Sequence, residues 1–400
     1  MTHSPELPSV MLFTGKGGVG KTTVAAGTAA LAAHRGRRVL VASTDTAHSL
    51  GDALGLCLGP DPVLVGERLW AVEVDARRLL EDSWGDIRDW LVHVFDWAGL
   101  SALEAEELAV LPGMEEILSL VEVRRLARRG DWDLVVVDCA PTAETVRLLS
   151  LPDVIDWYMK RLFPVGRKVN RVVAPVLQRF TNLPVADDSV LDAVQRLHGD
   201  LKRVKAWLAD PELSRVRLVV NPEAMVLAEA RRTHTYLALF GYPVDAVVCN
   251  KVIPHQARVG WFENWGRVQD ERLEEAATWF APLRLLVGWL AEGELCGVES
   301  LCAFAEATYG DLDPSARLAE PAGMRVFVEG GRHVLELALG SAGAEPVSLA
   351  RRDGHVLVTA GPYRRAIELP DTLQRRPIVT ATHAGGTLRI VFGDPSRAVE

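Results

Sequence analysis

Little in this chain supports a covalent or metallic scaffold. Its five cysteines, Cys57, Cys139, Cys249, Cys296 and Cys302, are odd in number, scattered over 400 residues and never spaced as CxxC. That speaks against a disulfide framework or a tetrahedral zinc site, and for small buried apolar side chains in a reducing compartment. No uncharged stretch reaches the roughly 18 residues that cross a bilayer. Nor does Met1–Val10 carry a basic segment ahead of a long apolar run, so a soluble, unsecreted, cytoplasmic protein is expected. Positive charge is in deficit, with 44 Lys and Arg against 53 Asp and Glu. This disfavours nucleic acid as a partner, because binding a duplex requires cations that displace counterions from phosphates. Internal repeats and low-complexity tracts are absent. What is present, 48% hydrophobic and 24% charged residues, suits a globular chain of more than one domain.

From Val10 to about Gly310, short β-branched runs alternate with helical stretches. The runs are Val10–Thr14, Arg38–Ser43, Leu134–Asp138, Arg217–Asn221, Ala246–Asn250 and Leu283–Val287. Near-continuous apolarity marks strands covered on both faces, so the class is α/β with a parallel sheet. The gap between the second and third runs exceeds a single crossover and carries helical periodicity through Leu79–Leu103 and Glu115–Arg129. A helical insert is predicted at about 76–130 and again at 151–210, within a domain spanning 1–310. Asp311–Gly323 (DLDPSARLAEPAG) is polar, holds two prolines and reads as a linker. Over 324–400, Met324–Leu339, Pro346–Leu369 and Pro377–Phe392 alternate as strands without a helical stretch, which predicts a separate all-β sandwich.

The first run leads into Gly15-Lys16-Gly17-Gly18-Val19-Gly20-Lys21-Thr22-Thr23 and then a helix. This is P-loop spacing in strand–loop–helix context. The glycines let backbone N–H groups turn toward phosphate oxygens, and the helix N-terminus adds a favourable dipole. Lys21 is expected at the β- and γ-phosphates and Thr22 on magnesium. A second candidate loop, Ser43-Thr44-Asp45-Thr46-Ala47-His48-Ser49, directly follows a strand, where α/β proteins present ligand-facing residues. His48 there reads as a packing residue. A third, Val135-Val136-Val137-Asp138-Cys139-Ala140-Pro141-Thr142, ends an apolar strand on an acid, placing Asp138 to hold magnesium through water.

These motifs resemble the deviant Walker A ATPases, and more narrowly the ArsA-like and tail-anchored-protein-targeting ATPases. The match rests on Lys16 inside the loop, on STDTAH beside the family's STDPAH, and on DCAPTAETVRLLSLP beside DTAPTGHTLRFLxLP. The resemblance implies that Lys16 reaches a partner chain's nucleotide, comparable to an arginine finger, so that hydrolysis requires a homodimer. It implies that Asp45 orients the attacking water. It also implies that Asn250, in Val247-Val248-Cys249-Asn250-Lys251, reads the base. The rival guanine motif NKxD fails because its acid would fall on Ile253, so ATP is favoured over GTP. The tail, with Asp353-Gly354-His355-Val356-Leu357-Val358 and Gly386-Thr387-Leu388-Arg389-Ile390-Val391-Phe392, resembles the small heat-shock protein (α-crystallin) fold.

Departures bear on function. Thr46 replaces a proline, Ala143 a glycine and Glu144 a histidine, and His255-Gln256-Ala257-Arg258 stands where targeting factors carry a zinc-binding CxxC. The cysteine triad and fused halves of arsenite pumps are missing. The expected function is magnesium-dependent ATP hydrolysis coupled to targeting or chaperoning of an apolar client, with a membrane receptor unassigned. The alternatives are an arsenite or anion efflux motor and a holdase whose nucleotide is structural. Trp84, Trp90, Phe95, Trp97 and Leu100, and Val154, Trp157, Tyr158, Met159, Leu162 and Phe163, are either insert core or a client groove.

Overall fold

The computed structural model describes residues 7–45, 49–75, positions 78, 85, 87–90, 92, 93 and 96, then 114–139, 188–320, 323–340, 346–352 and 354–394. An eight-stranded sheet forms the centre, in the order β3-β4-β2-β5-β1-β6-β7-β8. Its strands are β1 (Ser9–Thr14), β2 (Val39–Ser43), β3 (Val63–Gly66), β4 (Leu69–Glu73), β5 (Leu134–Asp138), β6 (Ser214–Val220), β7 (Val244–Val252) and β8 (Arg284–Trp289). All neighbours pair in parallel except the edge strand β3, which runs antiparallel to β4. β3 and β4 lie in the long gap ahead of the helical insert expected from about residue 76, in a stretch to which the sequence analysis assigns no strand. Their connection is a two-residue turn at Glu67-Arg68, with Arg68 left-handed at φ 57°.

Helix α1 (Lys21–His34) is alanine-rich and almost wholly buried against the sheet and α7 (Val298–Tyr309). Gly27 is the close-approach point: a Cβ there would stand 2.7 Å from the Leu301 carbonyl oxygen. α2 is Ser49–Leu54, α3 Met114–Arg129, α4 Asp188–Ala209, α5 Ala224–Phe240 and α6 Trp261–Phe280. Ile87, Met114, Ile117, Leu118, Val190, Ala193, Leu197 and Leu201 form a second apolar core, with Trp90 half-buried against it. Trp90 thus belongs to packing within the insert. Trp84, Phe95, Trp97, Leu100 and the Val154–Phe163 group lie outside the described residues, as do Thr46, His48, Ala143 and Glu144.

A buried arginine ties the core to the segment read as a linker. Arg217, in the central strand β6 and fully buried, meets Asp245 of β7 at 3.2 and 3.3 Å and the Tyr309 hydroxyl at 2.9 Å. It also donates to the carbonyls of Pro314 (2.8 Å) and Ala316 (2.9 Å). With Arg35 donating to Gly310 and Leu312, and Leu318 N–H to Asp245, this holds 311–318 down as a strap.

Beyond the strap, β10 (Arg332–Ala338) pairs with β9 (Met324–Glu329) and β15 (Thr387–Phe392), and β15 with β14 (Ile378–Ala384). A second antiparallel sheet joins β11 (Val347–Arg352), β12 (His355–Ala360) and β13 (Tyr363–Glu368). Alternate residues of both sheets are buried: Val334, Leu388, Ile390 and Phe392 from one, Val356, Val358 and Ile367 from the other. A single helical turn, α8 (Asp371–Gln374), interrupts the tail expected to be strands alone. The module rests on the second half of α5. The Tyr363 ring meets Tyr236 edge-on at 4.8 Å, and Arg365 lies over Phe240 while donating to the Leu239 carbonyl. No helix among the described residues is long and apolar enough to cross a membrane.

Candidate functional site

Strands β1, β2, β5, β6, β7 and β8 run the same way, so the loops after them converge on one edge of the sheet. Between them lies a cavity of about 600 Å³, a volume suited to a small-molecule ligand. Its lining includes Gly17, Gly18, Gly20, Lys21, Thr22, Thr23 and Asp45, with Asn250, Lys251, Trp289 and Leu290 on the other wall.

Two glycines of the loop are dictated by space. A Cβ on Gly15 would stand 2.1 Å from the Val219 carbonyl oxygen, because the loop leaves β1 pressed against β6. Gly20, at φ +90°, precedes the first turn of α1, and a Cβ on it would meet the Asn250 amide nitrogen at 2.4 Å. Val19 is buried beneath the loop.

The two loop lysines face different surroundings. Lys21 is buried at 6% exposure and donates to the Lys16 carbonyl at 3.4 Å, curled over its own loop. Lys16 extends to α5, where its ammonium lies 3.6 Å from Glu229, both side chains about one-third exposed.

Thr22 donates to Asp138 Oδ2 at 2.6 Å and stands 3.0 Å from the Ser49 hydroxyl. Asp138 is fully buried and its other oxygen, Oδ1, has no hydrogen-bond partner among the described residues. Burial pushes this carboxyl up to about 6, with Thr22 and Lys21 opposing the rise and Asp45 adding to it. A hydroxyl, a carboxylate with an orphaned oxygen and hard oxygen chemistry fit magnesium or a metal-bound water, which would restore charge balance to the acid. Asp45 sits half-buried on the cavity wall, its backbone N–H on the Ser43 hydroxyl at 3.2 Å.

Asn250 is placed beside the loop. Its side-chain amide donates to the Val19 carbonyl at 2.9 Å, and Lys251 reaches the Gly18 carbonyl at 2.7 Å. Lys251 is left-handed, φ 59°, at an irregularity in the β7–β8 pairing. A non-glycine residue held this way at a ligand cavity stores strain that its surroundings must offset. Gln269 of α6 braces this stretch, donating to the Lys251 carbonyl at 3.4 Å and accepting from Ile253 N–H at 2.8 Å. Thus Gly15, Lys16, Gly17, Gly18, Val19, Gly20, Lys21, Thr22, Thr23, Asp45, Asp138 and Asn250 all gather at one edge. Sequence reasoning missed Ser49, Glu229, Lys251 and Glu73, whose carboxylate accepts from Gly51 N–H at 2.8 Å and fixes the start of α2. Glu73 carried one signal, an acid ending a strand in the manner of Asp138.

The family described as anion-transporting ATPase (ArsA) matches residues 8–310, and an HSP20-like domain found in ArsA matches 330–392. A protein of Aquifex aeolicus provisionally named arsenical pump-driving ATPase 1 is 34% identical over 378 residues, covering 91% of this chain and 95% of that one. A similarly named protein of Prosthecochloris vibrioformis is 36% identical over 367 residues, 91% of each chain. An ASNA1-homologue ATPase of Entamoeba dispar is 26% identical over 301 residues, 73% of this chain and 91% of its own.

Proposed function

The chain belongs to the ArsA family and is an ATP hydrolase, and from that premise we propose that it works as a magnesium-dependent, nucleotide-gated homodimer that binds and targets or chaperones apolar protein segments. The carrying observation is the division between the two lysines: Lys21 is committed to its own loop, whereas Lys16 reaches away to α5, where among the described residues a part-exposed ion pair with Glu229 holds it. Such a pair is worth no more than about 1 kcal/mol, so Lys16 can exchange Glu229 for the phosphates of a second chain. There it would stabilise charge developing on the transferred phosphoryl group.

The remaining roles follow from position. The loop N–H groups and Lys21 would bind the phosphates, Thr22 and Asp138 would hold magnesium, and Asp45 would orient the attacking water. Trp289 and Leu290 offer the base an apolar wall, while Asn250 and Lys251 brace the loop beside it. Held by Thr22 and Asp138, magnesium would supply neutralisation of phosphate charge.

Lys21→Ala should abolish tight ATP binding. Lys16→Ala should bind ATP and lose both turnover and ATP-dependent dimerisation. A Lys16→Ala monomer that hydrolyses ATP at the normal rate would refute the assignment.

One observation favours a second reading, an anion-efflux motor. Cys296 packs against the 52–55 turn, donating to the Asp52 carbonyl at 3.5 Å, and exposed Cys57 lies two residues beyond that turn. Stimulation of hydrolysis by arsenite, lost in Cys57→Ser/Cys296→Ser, would establish it.

A further inference from the structure

The amino edge of the sheet, opposite the nucleotide cavity, carries a second cavity. Helices α3 and α4 pack against each other and lead into β5 and β6, so both run toward that edge. Met114, Ile117 and Leu118 of α3 join Ala193, Leu197 and Leu201 of α4 in the second apolar core. At intervals of three and four residues the same stripe of α3 goes on through Val121 to Arg124, Arg125 and Arg128. Where the pattern calls for apolar side chains, the sequence places arginine.

The consequence is a cavity of about 480 Å³ between the two helices, with Val121 and Val204 in its wall. Among the described residues its lining holds five guanidiniums, Arg124, Arg125, Arg128, Arg129 and Arg203, against the single carboxylate of Asp200. Two of the five are neutralised in place, Arg125 by Glu122 and Arg203 by Asp200 at 2.6 Å. No carboxylate among the described residues forms an ion pair with Arg124, Arg128 or Arg129.

Arginines in the last two turns of a helix are ordinarily a solvated face that also complements the helix dipole. Arg124 does not fit that account. Its Nε is buried and has no hydrogen-bond partner among the described residues. Burial pushes its pKa below the usual arginine range, Arg128 and Arg203 push it further, and Asp200 opposes them. In a chain whose formal net charge is −9, like charges are gathered here against the interest of the fold, as they are where a ligand of opposite sign completes the site.

The donors also indicate which anion. A guanidinium presents its N–H groups in a fixed fork that matches phosphate oxygens. Arg124 and Arg128 stand one turn apart, about 6 Å along the helix axis, and Arg203 enters from the other helix, a spread that linked phosphates cover better than a single one. We propose that the cavity between α3 and α4 binds an oligophosphate, an anion carrying two or more phosphate groups, with Arg124, Arg128 and Arg203 as its ligands. None of the nucleotide motifs contributes to this site, which stands apart from the homodimer reading.

The test titrates tripolyphosphate calorimetrically into the full chain already saturated with magnesium and a fluorescent ADP. One equivalent should bind without displacing the nucleotide, and Arg124→Leu and Arg128→Leu should each weaken it at least tenfold while holding nucleotide as the parent does. In thermal melts without tripolyphosphate, Arg124→Leu, which extends the apolar stripe and removes a like charge, should melt no lower than the parent. Tripolyphosphate should then raise the Tm of the parent and leave that of the variant unmoved. Flotation with phosphatidylcholine vesicles containing cardiolipin separates the sources of the phosphates. Capture that is lost in Arg128→Leu places them on a lipid headgroup, and tripolyphosphate binding without capture makes the ligand a free anion. If tripolyphosphate binds only by displacing nucleotide, or binds both variants as tightly as the parent, the arginines are solvated surface and the inference is overturned. A lower melting temperature for Arg124→Leu would make Arg124 a structural residue and overturn it equally.

Discussion

Arg217→Met removes the most heavily committed side chain of the core. Burial opposes the guanidinium charge, but Tyr309 and Asp245 together hold its pKa above the usual arginine range. Methionine fills similar volume, so the cavity contribution is small and the effect isolates polar bonding. Without Arg217, the 2%-exposed Asp245 keeps a backbone contact from Leu318 N–H at 3.2 Å, and the Pro314 and Ala316 carbonyls lose their donor. Leaving one partner of a buried ion pair uncompensated costs about 3–5 kcal/mol. Urea unfolding followed by tryptophan fluorescence should therefore show the parallel-sheet part destabilised by that amount. Limited proteolysis should open first within 311–320, where the strap loses two of its anchors. Adding Asp245→Asn removes the stranded charge, so the double variant should cost at least about 1 kcal/mol less than the sum of the two singles. A loss below about 1 kcal/mol for Arg217→Met, or strict additivity in the double variant, would refute the view of Arg217 as the neutralising centre of this junction.

Three further outcomes are expected. Gly20→Ala forces a left-handed φ on a β-carbon and displaces the Asn250 amide, so nucleotide should bind at least tenfold more weakly in a fluorescence titration, with the fold retained by circular dichroism. His234 is buried and desolvation pushes its pKa down from 6.5 to about 4. Its contribution to stability is thus whole above pH 6.5, is lost as pH falls toward 4, and amounts to about 3 kcal/mol over that window. His234→Phe should flatten the corresponding part of a stability-against-pH curve, and an unchanged slope would exclude His234 as its source. Truncation after Glu320 removes no group assigned to phosphate, magnesium or water, so ATP turnover should stay within a few-fold, on the order of 1 kcal/mol in barrier. It uncovers Tyr236 and Phe240, so the melting temperature should fall. Loss of hydrolysis in a folded, dimeric truncation would place the β module in the active assembly.

The parallel strands were legible because burial on both faces forces continuous apolar runs, and the phosphate loop because glycine spacing and the following helix are local properties. The edge pair β3–β4 was hidden because β3 has only four residues, two of them exposed, and no run long enough to stand out from the helical periodicity after it. Arg217 was visible as a letter, and its meaning was recoverable: a charge in a strand covered on both faces requires a buried counter-charge. That Asp245, Tyr309 and two carbonyls of the connector meet it depends on tertiary placement. Glu229 was illegible for the same reason, since nothing within α5 distinguishes it from any solvated glutamate until the loop brings Lys16 alongside. Asn250, expected to read the base, bonds through its amide to the loop backbone at Val19, a partner that spacing alone does not reveal.

Helix α5 has a stake in both halves of the molecule. Its seventeen residues form a rod about 25 Å long, with Glu229 on Lys16 near one end and Tyr236, Leu239 and Phe240 bearing the β module at the other. A rod cannot tilt at one end alone. A load hung on the β module is thus weighed at the phosphate loop, and a change in where Lys16 finds its counter-charge is felt as a change of seating beneath the module. By reciprocity, any factor by which nucleotide altered the affinity of a ligand for the module would equal the factor by which that ligand altered nucleotide affinity. The tail is in this sense on the same balance as the ATP.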